Sequence, residues 1–450
     1  MTTAYEKMQF ALDAIERHNS RVNAVISLSD PDDLMKQAEA ADQVPTEQRG
    51  LLHGEPIAIK DLANAAGFET SMGSPIFKKN HVKTDDIMVA RMRAAGAIII
   101  GKTNTPEFGL GSHTFNPVHG ATGNAYDATR SAGGSSGGAA VALATGMIRY
   151  ADGSDMMGSL RNPAGWNNVY GMRPTWGLVP SEPLGDSFLH QLATNGPMAR
   201  CPKDLATLLS VQSGQDARQP HGLPTADFAK DMDAHVLKGA KIAWLGDWGL
   251  PFDDGIMDIS ERAVEDLRAL GADVTAIDVP FSMDALWESW ITLRSWMVAS
   301  GAGVFYDDPE KRDLLKPAAI WEIERGFAMS AREVHQQSVV RSIWFKKAAQ
   351  LFETYDALLM PSAQVWPFPI DWVHPTEIAG VEMDTYHRWM QVVIPAGLIG
   401  LPVVNLPIGF GAAGLSAGLQ LVGGRGQDAK LLGMANDWYH GTPWKDHTPA

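Results

Sequence analysis

The chain has 450 residues, of which 45% are hydrophobic and 20% charged, and its formal net charge is −15 at pH 7. This acidic balance disfavours nucleic acid and anionic membranes as main partners, and no stretch approaches the roughly 20 uninterrupted apolar residues of a membrane span. The single cysteine, Cys201, cannot form an internal disulfide, which fits a reducing compartment. We therefore expect a cytoplasmic globular protein with one large α/β domain or roughly two to three smaller ones.

The N-terminal part of the chain combines helices with short strands. The pattern predicts a helix over 4–19, a strand over 22–28, and a second helix that begins near Asp30, whose carboxylate suits a helix N-terminus. Residues 56–59 then form a short apolar strand that ends at Lys60. A lysine in this position is unusual, because burying an ammonium ion costs free energy unless the side chain reaches water. Lys60 is therefore either a surface lysine with a buried stem or a buried functional group.

The next predicted elements are a helix over 84–94 and a strand over 97–100. The letters GAIIIGKT at 96–103 match the phosphate-binding loop pattern G-x-x-x-x-G-K-[ST]. Three consecutive isoleucines favour extended, buried backbone rather than a loop that exposes its N–H groups. We therefore expect a strand flanked by glycines and no nucleotide site.

The loop-rich segment 104–130 contains His113 and His119, which we interpret as structural residues. Neither an H-x-x-x-H nor a C-x-x-C spacing occurs in the sequence, and these are the spacings that metal sites commonly use. We therefore expect no metal and no other cofactor.

Beyond residue 200 the pattern returns to alternating helices and strands, at a spacing typical of an α/β fold. The predicted helices are 203–213, 256–270 and 428–439. The predicted strands are 241–245, 272–276, 357–361, 402–407 and 414–423. Residues 283–355 are mostly helical in pattern, and eight of the fourteen tryptophans fall between Trp287 and Trp389. These tryptophans either pack in the core or line an aromatic pocket, and the sequence leaves both interpretations open.

Two glycine–serine clusters lie within residues 130–180: GGSSGG at 133–138 and MGS at 157–159. Glycine lets backbone approach a ligand closely, and small hydroxyls in such turns suggest nucleophilic chemistry. Ser135 also fits the pattern G-x-S-x-G, but the residues before it do not form the strand that an α/β-hydrolase nucleophile turn needs. A Ser-His-Asp enzyme is therefore the weaker interpretation.

A lysine can replace histidine as the base only when its amine is neutral. Burial without an anion lowers the pKa of an amine, because desolvation disfavours the charged form. Lys60, at the end of its apolar strand, is the candidate that meets this condition. Two serines then have distinct tasks, one as a proton relay beside the lysine and the other as the nucleophile.

The chain resembles the amidase signature family over nearly its whole length. The resemblance is carried by EPIAIKD at 55–61, AAGAIIIGKTNTPEF at 94–108, the stretch 130–177 and GLSAGLQLVG at 414–423. HNSRVNAVI near the N-terminus and the closing helix also fit. It implies a single α/β/α domain over 1–450, with a large mixed, twisted β-sheet covered by helices. Within that domain, residues 283–355 would form a variable helical cap over the substrate entrance.

The same resemblance implies the roles of individual residues. Lys60 is the general base, Ser135 is the bridging serine, which follows a cis peptide bond from Gly134, and Ser159 is the nucleophile. Backbone N–H groups of the turn that ends at the nucleophile would form the oxyanion hole: Met156, Met157, Gly158 and Ser159. Residues expected to support the site are Gly133, Gly134, Ser136, Asp155 and Arg161. Asp155 and Arg161 would hold the turn, and the alternative is that they form a surface ion pair of little consequence.

This sequence departs from the family pattern at Met157, where the family has glycine. If position 157 requires a positive φ, methionine there would be strained. If it does not, Met156 and Met157 add apolar wall to the acyl pocket. Ala125 and Ala139 also differ from the family, away from the expected triad.

The function that the resemblance implies is hydrolysis of a small to medium amide, through an acyl-enzyme intermediate. The tryptophan-rich second half favours a hydrophobic or aryl group, and esters and carbamates share the acyl chemistry. The protein would need only its small-molecule substrate and would be a monomer or homodimer. One alternative is the glutaminase-type subunit of a tRNA-dependent amidotransferase, which would need a partner protein. Another is a non-catalytic binding protein with a degenerate site, although Lys60 and both serines are present.

Overall fold

The computed structural model describes residues 2–230, 232 and 235–449. Its α-helices are α1 (Ala4–Val22), α2 (Pro31–Asp42), α3 (Ile87–Ala94), α4 (Gly137–Ala144), α5 (Asn162–Trp166), α6 (Pro202–Gln212), α7 (Ile256–Ala269), α8 (Met283–Tyr306), α9 (Pro309–Arg312), α10 (Pro317–Ala328), α11 (Ala331–Leu351), α12 (Ile394–Leu398) and α13 (Asp428–Gly441). Its β-strands are β1 (Val25–Ile26), β2 (Pro56–Lys60), β3 (Ile98–Thr103), β4 (Phe115–Asn116), β5 (Gly120–Ala121), β6 (Tyr150–Asp155), β7 (Tyr170–Arg173), β8 (Thr194–Ala199), β9 (Lys241–Trp244), β10 (Asp273–Ala276), β11 (Ala357–Pro361), β12 (Glu377–Ile378), β13 (Val381–Glu382), β14 (Val403–Phe410) and β15 (Ser416–Val422).

A mixed sheet of eight strands forms the centre, in the order β10-β9-β11-β15-β14-β7-β8-β6. β9 pairs in parallel with β10 and β11, whereas the other neighbours are antiparallel. A smaller sheet has the order β1-β3-β2, in which β2 and β3 are parallel. The predicted α/β class with a large mixed sheet is therefore confirmed.

Helices cover both faces of the large sheet, because its strands send alternate side chains to opposite sides. On β9, Ile242 and Trp244 join the core formed with α6, α7 and α13. The residue between them, Ala243, joins the opposite core, formed with α8, α11 and α12. This alternation produces the three layers of an α/β/α fold. None of the helices in the described ranges combines the length and the apolar character that crossing a bilayer requires.

Most predicted elements are present with shifted ends. The predicted strand over 22–28 shrinks to β1, since α1 continues to Val22 and ends at Asn23 with a left-handed φ of 51°. The GAIIIGKT stretch leads into β3, which confirms the strand interpretation of the phosphate-loop match. We did not predict β6, β7 and β8, because glycine and polar residues obscure their alternation. Gly171 on β7 is required by packing, since a Cβ there would collide with the backbone carbonyl oxygen of Leu160.

Candidate active site

The ends of two strands and a helix bring the predicted catalytic residues together. Lys60 is the last residue of β2, Ser135 lies just before α4, and Ser159 lies in the turn between β6 and α5. The peptide bond between Gly134 and Ser135 is cis, as predicted. β2 lies beside β6, where the Lys60 backbone N–H donates to Asp152 Oδ1 at 2.9 Å.

The Lys60 side chain is buried, so the interpretation as a surface lysine is wrong. Its Nζ lies 2.8 Å from Ser135 Oγ, 2.8 Å from Ser136 Oγ and 3.0 Å from Ser154 Oγ. Among the described residues, no carboxylate lies within ion-pair distance of this nitrogen. Three hydroxyl groups therefore surround the amine, whereas a buried lysine is usually paired with a carboxylate. Ser154 was missed from the sequence, because a serine inside a strand carries no local signal.

The surroundings of Lys60 make it a base near neutral pH. Burial lowers the pKa of Lys60 from 10.5 to about 7, while Asp152 and Asp155 act in the opposite direction. Near neutral pH the neutral form of Lys60, which can accept a proton, is then accessible.

Ser159 lines a cavity of about 170 Å³, and Ser135 and Ser154 line the same cavity. We call it the catalytic cavity, after the predicted role of these serines. Ser135 and Ser159 both border this shared space, and no direct hydrogen bond joins their hydroxyls in the described part of the chain. Catalytic hydrogen bonds often tighten only when the substrate is bound. The cavity therefore supplies a position where a substrate carbonyl would lie beside both hydroxyls.

Asp155 organises the turn that carries Ser159. Its carboxylate accepts bonds from the N–H groups of Gly158 and Leu160, and from the guanidinium groups of Arg161 and Arg173. Burial alone would raise the pKa of Asp155, but the two arginines hold it well below its ordinary value. All three charged side chains are fully buried, so the interpretation of Asp155 and Arg161 as a surface ion pair is wrong. Sequence reasoning did not find Arg173, which lies at the end of a strand that we did not predict.

The backbone of the turn explains why methionine is tolerated at position 157. Gly158, not Met157, has the positive φ, at 81°. A Cβ at Gly158 would also lie 2.9 Å from a Val393 methyl group. Met156 and Met157 both line the catalytic cavity, and Met157 is also part of a buried hydrophobic cluster.

The same geometry corrects one member of the predicted oxyanion hole. The Gly158 N–H, assigned to it from the sequence, donates to Asp155 Oδ1 at 3.0 Å. The N–H groups of Met156, Met157 and Ser159 have no acceptor in the described part of the protein.

The remaining predicted support residues lie directly behind Ser135. Gly133 has a φ of 74°, and a Cβ there would lie 2.5 Å from Asn162 Oδ1. The Gly134 N–H donates to that same Asn162 oxygen at 3.3 Å. Ser136, on the other side of Ser135, contacts Lys60 as described above. These contacts restrict both the backbone and the hydroxyl positions around the bridging serine.

A buried arginine from α8, Arg294, also lines the catalytic cavity. It donates to Glu322 Oε1 at 2.6 Å and to the Tyr386 hydroxyl at 2.8 Å. Glu322 and Tyr386 raise the pKa of Arg294 against the opposing effect of burial, so its charge is retained. Because only the tertiary structure brings these three residues together, the sequence did not indicate this cluster.

An aromatic cavity of about 450 Å³ adjoins the catalytic cavity. Both are lined by Leu110, Gly111 and Ser112, and Tyr386 lines the aromatic one. Two tryptophans, Trp321 and Trp389, contribute to its wall. Other tryptophans of the region, such as Trp290 and Trp344, are buried in the core. Both interpretations of the tryptophan-rich segment therefore apply, to different residues.

The two loop histidines contact hydroxyl groups other than those that surround Lys60. His113 contacts Ser131 Oγ at 2.8 Å and the Ile370 carbonyl at 3.0 Å, and burial lowers its pKa to about 4. His119 contacts Ser71 Oγ at 3.1 Å. These contacts agree with structural roles.

A protein-family model described as Amidase matches residues 6–432 of the chain. The chain is 33% identical to a component of the glutamyl-tRNA(Gln) amidotransferase of Alkaliphilus metalliredigens, over 96% of this chain and 92% of that protein. It is 29% identical to an acylamidase of Rhodococcus erythropolis, over 99% and 93% of the two chains.

Solved structures of amide-hydrolysing enzymes are also similar to this chain. A bacterial aryl acylamidase of the amidase signature enzymes superposes with a TM-score of 0.91 at 26% identity, over 99% of this chain and 94% of that one. A 6-aminohexanoate cyclic dimer hydrolase superposes with a TM-score of 0.87 at 25% identity, over 99% and 95%.

Proposed function

Since the chain belongs to the amidase signature family, whose members include hydrolases of carbon–nitrogen bonds, we propose that it hydrolyses a small to medium hydrophobic or aryl amide. The observation that carries the proposal is a buried lysine whose amine contacts Ser135 and no carboxylate among the described residues, beside a cavity that Ser159 lines. A neutral lysine in this position can draw a proton through one serine from the other. Lys60, Ser135 and Ser159 would form the catalytic triad.

The reaction begins when Ser159 Oγ attacks the carbonyl carbon of the amide. Its proton passes to Ser135 Oγ while the Ser135 proton passes to Lys60 Nζ. The carbonyl electron pair moves to the oxygen, which the N–H groups of Met156, Met157 and Ser159 would stabilise. Without Gly158, whose N–H is engaged by Asp155, three of the four donors expected from the sequence remain.

Breakdown of the tetrahedral intermediate reverses the proton path. Ser135 donates a proton to the leaving nitrogen, and Lys60 returns one to Ser135. The carbon–nitrogen bond breaks, the amine leaves, and the acyl group remains as an ester on Ser159. Water then attacks that ester through the same relay, so that the acid is released and Ser159 regains its proton.

The two adjoining cavities support a substrate with one small side and one aromatic side. The catalytic cavity of about 170 Å³ is small for a whole ligand, while the aromatic cavity of about 450 Å³ lies within the usual range. Ester and carbamate substrates would follow the same acyl chemistry. We place residues 283–355 as a helical cap within one domain over 1–450, since α8 and α10 supply Arg294 and Trp321 to these cavities.

The second candidate function is the glutaminase-type subunit of a tRNA-dependent amidotransferase. The 33% identity to a component of such an enzyme favours it. In our proposal the chain instead acts as a monomer or homodimer without a partner protein. The purified chain should then hydrolyse aryl amides by itself. Activity confined to glutamine, and present only after the other components of an amidotransferase are added, would favour the second candidate.

The triad is tested with Ser159→Ala and, as a matched control, Ser300→Ala at an exposed site on α8. We expect Ser159→Ala to lose aryl amidase activity and labelling by a fluorophosphonate, and Ser300→Ala to retain both. Near-normal activity of Ser159→Ala would refute the assignment of the nucleophile. If even the unmutated chain neither hydrolyses any amide, ester or carbamate nor reacts with the label, the chain is a non-catalytic binding protein.

A further inference from the structure

A third, large cavity lies between α11 and residues near the large sheet, among them Trp176, Gly400 and Arg425. It is separate from the two cavities described above. Its volume is about 670 Å³, within the range of small-molecule sites. We call it the basic cavity, since three cationic side chains line it: Arg341, Lys346 and Arg425. None of the residues proposed to take part in amide hydrolysis lines it.

The basic cavity concentrates positive charge in a protein whose formal net charge is −15. No aspartate or glutamate lines it. Within the described ranges, none of its three cations has a carboxylate at ion-pair distance, although Arg425 acts through space on the buried Asp428. An exposed arginine elsewhere on the protein, Arg218, is by contrast paired with Asp216. Three cations left together without an acid favour an anionic ligand.

The environment of Arg341 is the observation that most favours an anion in the basic cavity. Its side chain is half-buried, and its guanidinium contacts only the Ser338 hydroxyl, at 3.2 Å, among the side chains described. Burial lowers the pKa of Arg341, and no acid offsets that effect. Arg294, by contrast, is buried against Glu322. A guanidinium that loses water without gaining a partner is stabilised when an anion binds.

Flat apolar side chains stand beside these cations. Arg341 and Phe345 are four residues apart on α11 and therefore share one side of the helix, and the next residue, Lys346, also lines the cavity. Phe345 is 38% exposed. Across the cavity, the rings of Trp176 and His221 lie 5.3 Å apart. Exposed aromatic faces next to cations offer a surface on which a planar ring can stack.

We propose that the basic cavity binds a small organic phosphate that carries a planar ring. A phosphoryl group has close to two negative charges and three acceptor oxygens, which match two arginine forks and a lysine better than a single carboxylate does. The ring would pack against Trp176 or Phe345. This inference does not depend on the proposed amidase reaction, because the two sites share no residue.

Calorimetric titration of the purified full-length chain tests the proposal, with phenyl phosphate, inorganic phosphate and benzoate as probes. We expect phenyl phosphate to bind more tightly than inorganic phosphate, because the ring adds contacts, and more tightly than benzoate, because the charge is larger. Arg341→Gln should weaken phenyl phosphate about tenfold or more, and Trp176→Leu should weaken it several-fold without affecting inorganic phosphate. Ser159→Ala should bind phenyl phosphate normally.

The control is Lys347→Gln, which removes an exposed charge from the same helix outside the cavity lining and should change affinity less than about twofold. Arg341→Lys, which keeps the charge but not the fork, should bind with intermediate affinity and separates ligand loss from misfolding. Absence of phenyl phosphate binding at about 10 mM would overturn the proposal. Benzoate binding as tight as phenyl phosphate would refute the phosphate class, and equal losses in Lys347→Gln and Arg341→Gln would refute a specific site.

Discussion

Two buried polar clusters lie next to each other in the active site and use burial in opposite ways. Around Lys60, one cation is surrounded by three hydroxyl groups and no acid, and its pKa falls to about 7. Around Asp155, one buried carboxylate is held by Arg161 and Arg173, which keep its pKa well below the ordinary value despite burial. Burial without a counter-ion thus favours a neutral amine that can accept a proton, whereas burial with counter-ions favours a rigid support. The comparison predicts that changes in the first cluster affect rate and changes in the second affect stability.

The largest effect is expected from Lys60→Met, which removes the base and keeps an unbranched apolar side chain. We expect kcat/KM for an aryl amide to fall by about 10⁴-fold or more, because no other amine among the described side chains contacts Ser135. The free energy of unfolding should not fall by more than about 1 kcal/mol, because the lysine removed was not in an ion pair. Steady-state kinetics and urea denaturation measure the two quantities. If the free energy of unfolding also fell strongly, the difference that we predict between the two clusters would be contradicted.

Arg161→Met should mainly destabilise the protein. It leaves Asp155 with a single arginine partner in a fully buried site, and breaking a buried ion pair typically costs about 3–5 kcal/mol. The matched control is Arg218→Met, which breaks the exposed pair with Asp216 and should cost less than about 1 kcal/mol. Urea denaturation distinguishes them. Equal costs for the two variants would contradict a supporting role for the buried cluster.

Gly158→Ala should disturb the turn that Asp155 supports. The new Cβ would meet Val393 at 2.9 Å, at a residue whose φ is 81°, so we expect a cost of about 2–3 kcal/mol and a loss of activity. Gly185→Ala is the control, because its φ is also positive, at 66°, with nothing within 4 Å of the added Cβ. It should cost about 1 kcal/mol from backbone strain alone. Full activity of Gly158→Ala would show that the turn tolerates a different shape.

The Lys60 pKa predicts the direction of the pH profile. Below about pH 7 the amine is protonated, so kcat/KM should fall about tenfold per pH unit, and above it the rate should reach a plateau. The same shift affects stability. Between about pH 7 and 10 the unfolded chain binds the Lys60 proton and the folded protein does not, so unfolding free energy should rise with pH relative to Lys60→Met. A rate that is independent of pH from 5 to 8 would contradict the assignment of Lys60 as the base.

Ser154→Ala should have the smallest effect and tests whether the three hydroxyls are equivalent. Ser154 contacts Lys60 but lies outside the proposed relay, so its loss should lower kcat by only about threefold and leave KM unchanged. Ser135→Ala, at a similar distance from Lys60, should lose several orders of magnitude more. Equal losses in the two variants would mean that the proton path does not run through Ser135 alone.

Local sequence signals determined the order of elements, the strand that ends at Lys60 and the two serine turns. These signals depend on the spacing of apolar residues and on glycine chemistry, both of which are properties of neighbouring residues. They led to the family and the fold, and both are confirmed. They did not reveal β6, β7 and β8, whose glycines are selected by close packing with residues elsewhere in the chain.

The tertiary structure alone decided which groups surround Lys60 and which backbone N–H groups remain unengaged. Ser154 is 94 residues from Lys60, and Arg161 reaches Gln420 across 259 residues, so no local pattern could reveal either contact. It also decided that Gly158 rather than Met157 adopts the positive φ, which the family pattern could not resolve. Whether a buried charge becomes a base or a support depends on the partners that folding brings to it, and these partners come from distant parts of the chain.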